Sequence, residues 1–112
     1  MTDPARLPAI ITSYLTAHRN HDVNTAITAF AADATVTDEG NTRRGPDEIL
    51  DWLTNAAGEY TYTIELTGTR QIDDERWVAT HHLEGDFPGG VVDLNHDFTL
   101  RDGKIQHLTI AP

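Results

Sequence analysis

The chain has 112 residues, enough for one domain with a single hydrophobic core. Its 18 acidic residues outnumber its 8 lysines and arginines, and the resulting formal charge of -10 disfavours binding to the phosphates of a nucleic acid. The absence of cysteine excludes disulfides, thiolate metal ligands and a cysteine nucleophile, and it favours a cytoplasmic protein.

Two helices are predicted at the start of the chain. The first begins at Asp3-Pro4 or at Leu7-Pro8 and ends near Asn20, and its apolar face follows the helical spacing of three and four residues. That face comprises Leu7, Ile11, Tyr14, Leu15 and His18. The second helix is short and is capped by Asp22. Its apolar face comprises Val23, Ala26, Ile27 and Phe30.

A strand and a third helix are predicted next. The period changes to two from Asp33 to Asp38, which places an acid, Asp38, on the apolar face of the strand. A turn at residues 39–41 and the pair Arg43-Arg44 then lead to a helix that opens with Gly45-Pro46. The buried face of this helix is predicted to comprise Ile49, Leu50, Trp52, Leu53 and Ala56.

Four strands with period two are predicted from Glu59 onward. Turn sequences at Asp73-Asp74, at residues 86–90 and at Asp102-Gly103 separate them. Short turns make the sheet mainly antiparallel, and the helices then cover one of its faces. The predicted fold class is α+β, in one domain spanning residues 1–112. No repeat or linker divides the chain, its first segment is acidic rather than signal-like, and no apolar run approaches the roughly 20 residues of a membrane span.

Three polar residues fall in phase with buried apolar positions and form the candidate catalytic set. Asp38 could act as a general base, since a carboxylate in a pocket that excludes water can take a proton from a substrate. Tyr14 could donate a hydrogen bond to a carbonyl oxygen that becomes an enolate. His96, neutral or protonated, could donate a second one or pair with Asp38. Each has a structural alternative: a core aromatic, a turn cap and a core histidine.

Further aromatic residues are predicted to border a cavity on the concave face of the sheet or on the helix above it. The candidate ligand-binding residues are Trp52, Tyr60, Tyr62, His81 and Phe98. Such a lining favours a flat, hydrophobic, ring-containing small molecule. The six histidines do not show the spacing of a metal site, and no phosphate-binding or dinucleotide motif occurs, so neither a metal nor a cofactor is predicted.

The segment SYLTAHRNHDVNTAITAFAADATVTDEG, followed by RRGPDEILDWL, resembles the nuclear transport factor 2-like superfamily, especially its SnoaL-like polyketide cyclase and ketosteroid isomerase branches. The resemblance covers nearly the whole chain and implies a cone-shaped α+β barrel, with three helices on a curved sheet around a pocket. It places Tyr14 at the tyrosine that donates to the substrate oxygen in such isomerases, and Asp38 at the general base. His96 replaces the third, acidic group of the family. The resemblance also implies a homodimer through the outer sheet face.

Two functions are therefore considered. The first is an enzyme that moves a proton next to a carbonyl of a polycyclic ketone, with Asp38 as the base and with Tyr14 and His96 holding the oxyanion. The second is a non-catalytic ligand-binding or dimerisation module, in which the three polar groups satisfy one another. An epoxide-opening hydrolase is a third alternative. It would need a second carboxylate and an arginine beside Asp38, and no arginine occupies an in-phase strand position.

Overall fold

The structure is a computed structural model that describes residues 7–38, 40–59 and 62–112, with the main chain alone at 56–59. Within these ranges the elements are α1 (Ala9–Arg19), α2 (Val23–Ile27), β1 (Phe30–Asp38), β2 (Asn41–Arg44), α3 (Gly45–Glu59), β3 (Tyr62–Gln71), β4 (Arg76–Gly85), β5 (Val91–Arg101) and β6 (Lys104–Ala111). The strands form one six-stranded sheet in the order β2-β1-β6-β5-β4-β3. None of the described helices is long and apolar enough to cross a membrane.

The sheet is mixed but mostly antiparallel, which confirms the predicted α+β class. Strands β3 to β6 pair in sequence as antiparallel neighbours, joined by the predicted turns. Strand β1 instead pairs in parallel with β6 and in antiparallel with β2. The first strand of the fold is thus paired with the last one. The helices pack over one face of the sheet, which is called the inner face below.

The helix boundaries follow local signals in the sequence. Helix α1 begins after the second of the two predicted starts, with Pro8 at its N-cap, and two main-chain N–H groups donate to the carbonyl of Pro8. Asp22 caps α2, because its carboxylate accepts a hydrogen bond from the main-chain N–H of Thr25 at 3.2 Å. Phe30, predicted on the apolar face of α2, instead opens β1, where it pairs with Ile105. Strand β1 is therefore three residues longer than predicted.

Two features of the sheet differ from the prediction. Strand β2 is an additional edge strand whose four residues are polar, so it carries no apolar alternation that could reveal it. It is held by its ladder with β1 and by a 3.0 Å contact between the hydroxyls of Thr37 and Thr42. In β3, the register shifts between Leu66 and Gly68. Leu66, predicted on the inner face, is 40% exposed, since a bulge changes the direction of the side chains beside it.

The hydrophobic core ends and a cavity begins between two successive rows of the sheet, where a row is a set of residues that lie opposite one another on neighbouring strands. Val36, Leu108 and Phe98 lie opposite one another on β1, β6 and β5, and all three are fully buried. The next row on the same face holds Asp38 and His96 on either side of Ile110. Apolar packing therefore ends where the polar residues begin.

Candidate functional site

A cavity of about 640 Å³ lies over the inner face of the sheet. This volume is within the roughly 300–1,000 Å³ common for small-molecule sites. Its walls are mainly aliphatic, and they include Ile64, Leu83, Val92, Leu94 and Ile110. Its polar lining comprises His18, Asp38, Trp52, Tyr62 and His96. The rim includes Phe87, Pro88, Val91, Ala111 and Pro112. A few polar groups in an apolar container are typical of a site that orients a hydrophobic ligand.

Asp38 and His96 face this cavity from the same row of the sheet. Both pair with Ile110, which lies between them on β6. Because neighbouring strands lie about 4.8 Å apart, the two main chains are separated by about 10 Å. Their side chains can therefore contact two different atoms of one ligand.

The carboxylate of Asp38 is oriented by a tryptophan from the helix above it. Nε1 of Trp52 on α3 donates to Oδ2 of Asp38 at 3.0 Å. Trp52 is itself 6% exposed, so the indole is fixed by packing. Asp38 is half-buried, and its second carboxylate oxygen is not used in this contact. The arrangement holds one oxygen in place and leaves the other for a ligand.

Tyr14 is packed in the core next to the cavity and is not among its lining residues. Its ring packs edge-on against Phe30 and Phe98, with centroids 5.3 and 5.8 Å away, and stacks on His18. Its hydroxyl is buried and has no hydrogen-bond partner among the described residues. Burial raises the pKa of Tyr14, and the charges of Asp38 and then Tyr62 raise it further. The hydroxyl therefore keeps its proton and remains a donor.

His96 is a neutral imidazole whose partner is another histidine. Nδ1 of His96 lies 3.1 Å from Nδ1 of His81, and both side chains are buried. Burial lowers the pKa of His96 to about 3, with further contributions from His81 and His18. The pKa of His81 falls to about 4 through burial, the charge of Arg19 and that of His18. Of the two protonation states considered for His96, the structure favours the neutral one, and its partner is His81 rather than Asp38.

The other predicted ligand-binding residues occupy different positions. Trp52 and Tyr62 line the cavity. Phe98 is fully buried in the core, stacked beside His96, and His81 lies behind His96, so neither is among the lining residues. Tyr60 lies outside the described residues.

Some lining residues were not among the predicted site residues. His18 follows Tyr14 by one helical turn on the apolar face of α1, and this spacing could have identified it. The rim residues come from the turn between β4 and β5, from the first residue of β5 and from the end of β6 and the residue after it, where no periodicity marks a binding role. In the described part of the chain, no three His, Asp or Glu side chains are arranged to hold a metal ion.

The buried histidines should make the fold sensitive to acid. A histidine whose folded pKa lies below its ordinary value of 6.5 takes up its proton on unfolding, so the unfolded state binds more protons between pH 6.5 and about 4. The free energy of unfolding should then fall, as the pH falls, by about 1.4 kcal/mol per pH unit for each such histidine. Urea denaturation at pH 7, 6 and 5 would measure this slope.

The pH dependence of the unfolding free energy in a His96→Asn variant, compared with that of the native protein, isolates the contribution of His96. His82 on the outer face works in the opposite direction, because hydrogen bonds to Asp93 and Glu84 raise its pKa. The His96→Asn variant keeps that contribution and loses the one from His96, so its stability should depend less on pH. The same slope in both proteins would contradict the assignment of a buried neutral His96.

Comparison with known proteins finds a matching family model and similar solved structures. The family model of the SnoaL-like domain matches residues 11–108. A proposed polyketide cyclase from Sinorhizobium meliloti is 33% identical, with a TM-score of 0.87, and the match covers 94% of this chain and 95% of that one. No curated protein matches this sequence.

More distant structures share the fold. A protein with a ketosteroid isomerase-like fold from Catenulispora acidiphila, crystallised with trimethylamine, is 20% identical with a TM-score of 0.81, covering 96% of this chain and 87% of that one. A Mycobacterium tuberculosis protein crystallised with estradiol-17beta-hemisuccinate is 14% identical with a TM-score of 0.76, covering 92% and 90%. The resemblance deduced from the sequence is confirmed, and the chain belongs to the SnoaL-like domain family.

Proposed function

We propose that the protein is an enzyme that moves a proton next to the carbonyl group of a polycyclic ketone. The observation that carries this proposal is the placement of Asp38 and His96 in one row of the cavity floor, with the Tyr14 hydroxyl, which has no partner among the described residues, buried next to the cavity. A base and a donor then face the ligand, and a second donor lies close to the cavity. The cavity has the volume and the apolar walls that a fused-ring molecule needs.

In the proposed mechanism, Asp38 takes a proton from the carbon next to the carbonyl. The electron pair of the broken C–H bond moves onto the carbonyl oxygen, which becomes an enolate. The hydroxyl of Tyr14 and an N–H of neutral His96 donate to this oxygen and stabilise its charge in a site of low dielectric. The protonated Asp38 then returns the proton to another carbon, which completes an isomerisation, or to the new oxyanion after a carbon–carbon bond has closed.

Two of the similar proteins support the choice of ligand. The S. meliloti relative is a proposed polyketide cyclase, and the M. tuberculosis structure contains a steroid derivative. A cyclised polyketide and a steroid are both fused-ring carbon skeletons that carry ketone or hydroxyl oxygens at their edges. The aliphatic walls and sparse polar groups of this cavity match that chemistry.

A non-catalytic binding module remains the second candidate. It is favoured by the fact that Asp38 and His96 already have protein partners, Trp52 and His81. Mutual contacts among Tyr14, Asp38 and His96, which this hypothesis predicts, are not the ones that the structure shows. The Tyr14 hydroxyl has no partner among the described residues, and a buried hydroxyl without a partner lowers the stability of the fold by about 1–3 kcal/mol. A ligand oxygen that contacts this hydroxyl would recover that cost.

Hydrogen–deuterium exchange on a probe ketone tests proton transfer directly. The protein is mixed in deuterated buffer with a steroid enone or with a bicyclic aryl ketone, and NMR follows the loss of the proton next to the carbonyl. We expect exchange to be at least about 100-fold faster than in buffer, because a positioned base contributes about 10²–10⁴. The matched control is the ring alcohol of the same skeleton, which binds without an acidic C–H.

Binding is measured in parallel through the fluorescence of the cavity tryptophan, Trp52. A ketone that binds but exchanges at the rate of buffer would assign the protein to the non-catalytic class. If neither ring ketone binds, both the proposed reaction and the proposed ligand class are wrong.

The homodimer and the cytoplasmic location are retained as parts of this proposal. The outer face of the sheet, where the dimer is expected, is polar, and neighbouring strands satisfy its side chains. Arg76 pairs with Asp97 at 2.6 Å, and the hydroxyl of Thr80 donates to Asn95 at 2.7 Å. An interface on this face would therefore be formed largely by polar groups that already have partners within one chain, although Oδ1 of Asp97 has none among the described residues.

A further inference from the structure

Two buried histidines on adjacent strands form a direct pair, in which His96 borders the cavity and His81 lies behind it. His81 is 1% exposed and His96 3% exposed, and their ring centroids are 4.6 Å apart at an angle of 75°. His96 pairs across the sheet with Ala79, two residues before His81, so the two histidines are diagonal neighbours on the inner face. Side chains at such positions are within reach of each other.

The contact between the rings fixes their protons relative to each other. Nδ1 faces Nδ1 at 3.1 Å, and a hydrogen bond at this distance requires one proton between the two nitrogens. Two protons would place two donors against each other, and none would oppose two lone pairs. Since both rings are neutral, one carries its proton on Nδ1 and the other on Nε2. The tautomer of His96 therefore depends on His81.

The surroundings of the pair differ on its two sides. His96 borders the cavity, whereas His81 is buried behind it and is not among the lining residues. Because Nδ1 of His96 faces His81, Nε2 is the nitrogen of His96 that can contact a ligand. Nε2 of His96 has a hydrogen to donate when the proton between the two rings belongs to Nδ1 of His81. His96 then accepts at Nδ1 and carries its own proton on Nε2.

We propose that His81 is a positioning residue that donates to Nδ1 of His96 and so holds His96 in the tautomer whose Nε2–H is directed to the ligand. His81 was predicted to contact the ligand, and this assigns it an indirect role instead. The pair would make the cavity selective for a ligand with a hydrogen-bond acceptor, such as a carbonyl oxygen, at this point. The effect of this hydrogen bond on catalysis rests on the proposed function, whereas the assignment of the tautomer does not.

Long-range proton–nitrogen NMR on protein with ¹⁵N-labelled histidine tests the assignment without any substrate. At pH 7 we expect His81 to be protonated at Nδ1 and His96 at Nε2. The reverse assignment in the native protein would overturn the proposal. This measurement needs no variant, so the proposal stays testable even if substitutions at His81 disturb folding.

Two substitutions at His81 test the dependence. His81→Asn keeps an N–H donor and should preserve the tautomer of His96, whereas His81→Leu removes the donor and should release it. His82→Asn, on the outer face of the same strand, is the matched control and should leave the His96 signals unchanged. A His96 tautomer that is the same in His81→Leu as in the native protein would refute the role of His81.

Ligand selectivity gives a second readout. The preference for a ring ketone over the hydrocarbon of the same skeleton should fall by about tenfold in His81→Leu and persist in His81→Asn, since a neutral hydrogen bond contributes about one order of magnitude. Failure of the proposed reaction is distinguishable from failure of this inference. If the tautomers are as predicted but no proton exchange on the ketone is seen, only the proposed reaction is wrong. If proton exchange on the ketone is seen but the tautomers are reversed, only the positioning role of His81 is wrong.

Discussion

Replacing Asp38 with asparagine should slow proton exchange on a bound ring ketone by about 10²- to 10⁴-fold, the contribution of a positioned general base. An amide cannot take up the proton, but it has nearly the same shape as the carboxylate. The exchange assay in deuterated buffer measures the loss. Ketone affinity should change much less, because the aliphatic walls of the cavity are unaffected.

The fold should tolerate this substitution. The indole of Trp52 donates to one carboxylate oxygen at 3.0 Å, and the amide oxygen of asparagine can accept the same hydrogen bond. We therefore expect the free energy of unfolding to change by less than about 1 kcal/mol. Asp51→Asn, at an exposed position on α3, removes the same charge and should leave exchange unchanged.

The opposite pattern would support a purely structural role for Asp38. A loss of about 1–3 kcal/mol of stability with unchanged exchange would mean that the carboxylate serves a buried network and not a reaction. Asp51→Asn separates that result from a general effect of charge, since the chain already carries a net charge of -10.

Replacing Tyr14 with phenylalanine should stabilise the protein while it impairs the reaction. The hydroxyl is buried without a partner among the described residues, so its removal should raise the free energy of unfolding by about 1 kcal/mol. The same change removes a donor to the enolate and should lower the exchange rate by about 10²- to 10³-fold. Urea denaturation and the exchange assay on one preparation measure both effects.

The two effects have different causes, so each can fail separately. Lower stability in Tyr14→Phe would show that the hydroxyl has a partner in the folded protein. An unchanged exchange rate would show that the ligand oxygen does not reach it. A rise in stability together with a loss of rate is the signature of a donor kept for the transition state at the expense of the fold.

Alternation along single strands was enough to place several key residues. A period of two decides which face of a sheet a side chain occupies, so Asp38 and His96 could be assigned to the inner face without knowledge of strand order. The helix starts were readable because Pro8 and Asp22 act within one turn of their own positions. Strand β2 was missed because four polar residues at a sheet edge leave no hydrophobic signal.

The partners of the site residues could not be predicted in this way. The bond from Trp52 to Asp38 depends on how α3 crosses the sheet, and the contact of His81 with His96 depends on the register between two strands. Periodicity within one element contains neither quantity. It also cannot distinguish the first layer of a cavity from the second, which is why His81 was predicted to contact the ligand.

The position of β6 determines when the site can exist. Asp38 and His96 lie on strands that do not touch each other, and β6 is inserted between them through one parallel and one antiparallel ladder. The parallel ladder joins residues that are about seventy positions apart, and contacts of such long range form late and slowly. During synthesis Asp38 and His96 therefore stay apart until β6 has emerged and docked. Ligand binding would then require that β6 is paired with both β1 and β5. A small molecule that binds the cavity would therefore stabilise the fully assembled sheet over partly folded states.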